Sequence, residues 1–269
     1  MISRKISAPI VLAIAAVFQV VGESMISSEP LVYGFTSKIS SQILGEERTI
    51  HIRLPKAYDE ETREYPLVVV LDGSEDVFLR AVASVEYLAD MQEGFPDHIV
   101  VGIPPKDRFQ EMHILNQPGR FKEFIEKELL PMLAENYRCN GKRILYGQSF
   151  GSVFAAYCVM KKPSSFQSCI LNSWGLSAQE IECYRSLLKE KVATSASDAP
   201  PIRMYVTSNV DDPYDLRGER RQLAKAFIDE LRSDYPNLFQ IEYRLYDFRA
   251  HAPFQGLHDG LAWLCQPQE

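Results

Sequence analysis

Ser149 stands between two glycines in Gly147-Gln148-Ser149-Phe150-Gly151, where an apolar run gives way to a helix-like pattern. A serine hydroxyl attacks acyl carbon only when a base takes its proton. A tight strand-to-helix turn holds such a side chain in a strained backbone conformation with its oxygen exposed. The residues two before and two after must then be small, because the turn presses them against neighbouring backbone. Gly147 and Gly151 meet that demand. The Phe150 N–H, at the helix start, is expected to donate to a developing oxyanion.

Such a serine needs a base, and the chain has five histidines. His51 lies on an alternating segment, His98 opens a strand, His113 lies in a loop, and His258 falls inside the last helical run. His251 differs, because it sits in a polar loop (DFRAHAPF) between the last strand and the last helix. The chain order serine, acid, histidine puts the base there, so His251 is the expected base and His258 the reserve. The acid should follow the strand Arg203–Thr207, where Asp211 and Asp212 compete. Asp211 is preferred and Asp212 is the alternative, while Asp215 and Glu219 stand further from the strand end. The acid accepts the imidazole N–H and fixes its tautomer. The remaining aspartate would cap the next helix or shape a turn. A second oxyanion donor is expected from Asp72-Gly73-Ser74, through the Ser74 or Gly73 N–H.

The elements that must position these residues follow a rhythm. Leu31–Ser40 and Arg48–Leu54 read as two leading strands, the second with the alternation of a half-buried antiparallel strand. After Pro66, apolar runs at Leu67–Leu71, Ile99–Ile103, Arg143–Tyr146, Cys169–Asn172, Arg203–Thr207 and Gln240–Tyr246 read as strands. Helical patterns at Val77–Met91, Phe121–Tyr137, Ser152–Met160, Leu216–Leu231 and Gln255–Leu264 lie between or after them. Strands apolar on both faces and alternating with helices indicate a mostly parallel, eight-stranded sheet with helices on both faces. The segment Trp174–Pro201 lacks a strand signal and is expected to cap the site.

Bulk properties narrow the class. The chain has 269 residues, 46% hydrophobic and 24% charged, enough for one large core. Its net charge is −7 with no basic cluster, which argues against a nucleic-acid partner. Arg4 and Lys5 precede the apolar run Pro9–Val21, and Gly22 follows. A basic start, a short apolar core and a small-residue exit describe a signal peptide over residues 1–22. The chain is therefore expected to be exported, periplasmic or secreted, without stable membrane insertion after cleavage. Five cysteines leave the disulfide state open. There is no CxxC, no HExxH and no Cys/His grouping at zinc-ligand spacing, so no metal is expected.

Several stretches together resemble the esterase D-like, enterochelin esterase-like branch of the α/β-hydrolases. They are Tyr65–Gly73, Val101–Arg108, Phe121–Tyr137, Arg143–Ser152 and the closing His251 with Asp259-Gly260-Leu261. The resemblance implies an α/β-hydrolase domain over residues 30–267 and hydrolysis of carboxylic esters or thioesters by a serine mechanism without cofactor. Ser149 becomes the nucleophile, His251 the base, and the aspartate after the seventh strand the acid. Arg108 falls where the family has an arginine near the pocket, and either contacts substrate or holds its loop by a salt bridge. Gln148 stands where the family often has His, and Ser152 where a second Gly is common. The substrates implied are small-molecule esters, from siderophore lactones to small acyl esters, with the oligomeric state left open. Acyl transfer through the same triad, or a non-catalytic binding module on a hydrolase scaffold, are the alternatives.

Overall fold

The computed structural model describes residues 30–116, 118–194, 199–247 and 249–266. The expected signal peptide over residues 1–22 and the last expected domain residue, Pro267, lie outside the described residues. The sheet and its helices belong to one unit that begins at Tyr33.

Eight strands form one sheet: β1 Phe35–Ser41, β2 Glu46–Arg53, β3 Tyr65–Leu71, β4 Ile99–Ile103, β5 Cys139–Gln148, β6 Ser168–Asn172, β7 Ile202–Asn209 and β8 Phe239–Tyr246. Their order is β1-β2-β4-β3-β5-β6-β7-β8. β1 pairs antiparallel with β2, and β2 with β4, while every later pairing is parallel. β3 and β4 are buried at every position, as strands covered on both faces must be.

Alternate residues of β3 serve two separate cores. Val68 and Val70 face helices α1 (Glu75–Met91) and α8 (Phe254–Leu264). Leu67, Val69 and Leu71 face the layer holding α3 (Gly119–Phe124), α4 (Leu130–Asn136), α5 (Phe150–Met160), α6 (Ala178–Thr194) and α7 (Glu219–Asp234). A short α2 spans Arg108–Met112. Each buried Leu, Ile or Val contributes roughly 1.5–3 kcal/mol. The expected architecture, a mostly parallel eight-stranded sheet with helices on both faces, is the one observed.

Four local departures have physical causes. β1 opens at Phe35, not Leu31, because its partner β2 ends at Arg53, one residue beyond the Phe35–Ile52 pair, and Pro55 cannot extend the ladder. The expected helix Phe121–Tyr137 contains a π turn at Ile125–Leu129, just before Pro131, which lacks an N–H for the regular ladder. The helix expected from Leu216 starts only at Glu219, after Gly218 in the left-handed region at φ 67°. Within the expected cap Trp174–Pro201, Trp174 and Gly175 line the cavity beside Ser149, but α6 lies in the core layer, with Tyr184 buried and its hydroxyl donating to the Val153 carbonyl at 2.7 Å.

All five cysteines are free thiols. Cys158 and Cys169 are fully buried, and burial pushes both thiols well up from their ordinary value. They act as small apolar side chains.

Candidate active site

Parallel strands bring their carboxyl ends, and the loops after them, to one edge of the sheet. β5 lies at the middle of that edge, and Ser149 is the single residue between it and α5. Its backbone sits at φ 53°, ψ −120°, a strained conformation for a residue with a side chain. Its N–H donates to the Asn172 carbonyl at 2.9 Å, which fixes the turn against β6. A Cβ on Gly147 would lie 2.0 Å from the Gly151 carbonyl oxygen, so only glycine fits. The Ser152 hydroxyl turns inward and donates to the Ser149 carbonyl at 2.5 Å.

Ser149 lines a cavity of about 580 Å³ together with Phe150, Arg108, Asp212 and His251. His251 Nδ1 lies 2.8 Å from Asp212 Oδ2 and 3.0 Å from Oδ1. An ionised carboxylate only accepts, so Nδ1 carries the proton and Nε2 is left as the acceptor. Asp212 also accepts the Tyr214 N–H at 2.9 Å, and the Tyr214 ring meets the imidazole edge-on at 4.6 Å. Ser149 and His251 both line this cavity, and among the described residues no hydrogen bond joins them.

The carboxylate beside His251 is therefore Asp212 and not the preferred Asp211, which is exposed and does not line the cavity. β7 ends at Asn209, the Val210 N–H is held by the Tyr246 carbonyl, and the following turn carries Asp212 inward. Asp215 takes the capping task, accepting the Arg220 and Arg221 N–H groups at 3.2 and 2.8 Å. His258 is packed between Tyr87 and Phe254 and does not line the cavity.

The loop after β3 does not supply the expected oxyanion donors. The Gly73 N–H donates to the Ile103 carbonyl at 3.0 Å and the Ser74 N–H to the Asp72 carbonyl at 2.8 Å. Neither residue lines the cavity. Gly73 is glycine for another reason, since a Cβ there would lie 2.4 Å from the Ile103 nitrogen of β4. Arg108 does line the cavity, and it is held firmly. Its Nε and Nη2 donate to Asp72 at 2.5 and 2.8 Å, Nη2 also donates to the Gln148 carbonyl at 3.0 Å, and the guanidinium lies over the Phe150 ring.

A buried polar network, unforeseen from the sequence, holds these loops together. Asn172 Nδ2 donates to the Pro253 carbonyl at 2.9 Å and to the Tyr146 hydroxyl at 3.1 Å, while its Oδ1 accepts from Thr207 at 2.8 Å. Burial pushes Tyr146 up to about 12, so its hydroxyl stays a neutral donor, here to Gln148 Oε1. The Ser173 hydroxyl accepts from the Ala252 N–H at 2.8 Å and from Asn209 at 2.9 Å. Asn172 and Ser173 thereby pin the residues after His251 to the ends of β6 and β7. The one sequence signal for this was a polar pair closing an apolar strand. Among the described residues no group of three or more His, Cys, Asp or Glu side chains could hold a metal ion.

Residues 41–263 match the family model described as "Putative esterase". The chain belongs to this family. The esterase also resembles an IroE-like serine hydrolase from Shewanella oneidensis, at TM-score 0.72 and 25% identity over 86% of this chain and 79% of that one. A siderophore hydrolase, EstA, from Aspergillus nidulans aligns at TM-score 0.70 and 16% identity, over 90% of this chain and 99% of the other. An S-formylglutathione hydrolase, FrmB, from Staphylococcus aureus aligns at TM-score 0.62 and 15% identity, over 87% and 96% respectively. The last two likenesses concern the fold alone. No curated protein sequence matches. Family and fold together make this esterase a serine hydrolase of carboxylic esters.

Proposed function

We propose that this esterase works through Ser149 as nucleophile, His251 as general base and Asp212 as the carboxylate that orients the imidazole. The observation that carries the reading is the Asp212–His251 pair facing a cavity that also exposes a strained serine. His251 Nε2 takes the Ser149 proton as the oxygen attacks the ester carbonyl, and Asp212 stabilises the imidazolium that forms. The tetrahedral oxyanion is held by the Phe150 N–H at the start of α5, with the immobilised Arg108 guanidinium facing the same cavity. Collapse expels the alcohol, which leaves with the proton from His251. Water then enters by the same route and releases the acid.

For substrate we propose a small-molecule ester, with siderophore lactones the first class to test. The names of two similar structures, an IroE-like hydrolase and a siderophore hydrolase, support that choice. Export is part of the reading, supported by Arg4, Lys5 and the apolar run Pro9–Val21. Cell fractionation with mass measurement of the mature N-terminus tests it, and full-length protein confined to the cytoplasm refutes it.

The central assignment is tested with 4-nitrophenyl acetate and a fluorophosphonate probe. Ser149→Ala is expected to lower turnover by several orders of magnitude and abolish labelling. Undiminished turnover in a folded Ser149→Ala protein refutes it.

A further inference from the structure

We propose that the cavity recognises an oxyanion, carboxylate or phosphate, on its ester substrate, and that Arg221 is the residue that reads it. This rests on the reading of the cavity as the ester-hydrolysing site. Beside the Tyr214 phenol, the side chains of Arg108, Asp212, Asp215, Arg220, Arg221 and His251 line that cavity. Three guanidinium groups there run against a chain whose net charge is −7.

Their commitments differ. Arg108 is held by the Asp72 carboxylate and the Gln148 carbonyl. Arg220 donates to the buried Glu180 carboxylate at 2.9 Å and to the Gly175 carbonyl at 3.0 Å. The two lining carboxylates are also occupied, Asp212 by His251 and Asp215 by two backbone N–H groups. Arg221 alone of the three arginines is uncommitted: among the described residues no hydrogen bond or ion pair engages its guanidinium.

That guanidinium is nevertheless placed. The Arg221 N–H is fixed by Asp215, and its Nη2 rests over Gly218, where a Cβ would come within 2.7 Å. A planar fork of donors matches a carboxylate or phosphate bidentately. Phe150, Val153 and Tyr214 give the same cavity apolar walls for the uncharged part of the ligand. The ligand implied is an ester with an apolar body and an anionic end. Its hydrolysis changes no bond at Arg221, which holds the anion while water is added across the acyl C–O bond.

The test compares three aryl acetates: 4-acetoxybenzoate, its neutral methyl ester, and 4-acetoxyphenyl phosphate. kcat/KM is measured for each with wild type, Arg221→Gln and Arg221→Lys, and the melting temperature confirms folding. The readout is the ratio of charged to neutral substrate, compared between proteins so that leaving-group reactivity cancels. The ratio is expected to fall about tenfold in Arg221→Gln, the worth of one charge-assisted contact, and less in Arg221→Lys. In wild type it should shrink as salt rises to about 0.5 M. The anion with the larger loss identifies the group that is read. An equal ratio in wild type and folded Arg221→Gln overturns the subsite while leaving ester hydrolysis standing. Should Arg221→Gln not fold, an unchanged ratio in Arg221→Lys together with a salt-independent wild-type ratio overturns it. Absence of turnover on all three esters by wild type overturns both readings.

Discussion

Asp211 and Asp212 are chain neighbours with different surroundings, and that difference gives the sharpest test at the scale of single residues. Asp212 is buried against His251, whereas Asp211 is exposed. Asp212→Asn is expected to lower kcat/KM by about 10³–10⁴, because the amide no longer stabilises the imidazolium or the right tautomer. Asp211→Asn should stay within about twofold, as exposed substitutions usually do. Steady-state kinetics on one chromogenic ester compares the two, and equal losses would sink the assignment. The sequence could not separate them, since both follow the strand at similar reach. Pro213 biases Asp212 toward extended backbone without saying which way its side chain turns. Ser149 and His251 stand out in the sequence because each occupies a distinctive local setting, a glycine-flanked turn and a lone polar loop, and both line one cavity.

Elements matter here through how their ends are tied. Ser173, at φ 53°, holds the Ala252 N–H, so the end of β6 sets where the His251 loop lies. Ser173→Ala is expected to lower kcat/KM by about 10- to 100-fold, since small displacements of a catalytic base are costly. Its melting temperature should drop by only a few degrees, because one hydrogen-bond acceptor is lost. A stability loss without a kinetic one would mean that the loop is held by other contacts. The strands themselves were plain from their unbroken apolar runs. The ties between strand ends were not, because Ser173 and Ala252 lie 79 positions apart and neither carries a pattern. The loop after β3 misled for the same reason: its glycine answers to close approach by β4, a neighbour fixed only by the sheet order.

For the whole molecule, pH enters through a histidine far from the cavity. His98 is 2% exposed, and burial lowers it to about 4. The unfolded chain takes up its proton near pH 6.5, the folded one only near 4. His98 therefore destabilises the fold progressively as pH falls from 6.5 toward 4, by up to about 3 kcal/mol. Urea midpoints measured at about pH 7.5 and about pH 5 should show that slope in wild type and much less of it in His98→Gln. Parallel profiles in the two proteins would place the acid sensitivity elsewhere.

The thiols described with the fold have a practical consequence. Cys158 and Cys169 lie on α5, which begins just after Ser149, and on β6, whose end takes the Ser149 N–H, and neither can meet a reagent while the fold stays closed. A thiol-specific mass tag applied in native buffer would therefore act as a clock for opening events in that region. Addition of an active-site ligand should slow the clock in proportion to occupancy. The molecule carries its own internal gauge of how often its centre comes apart.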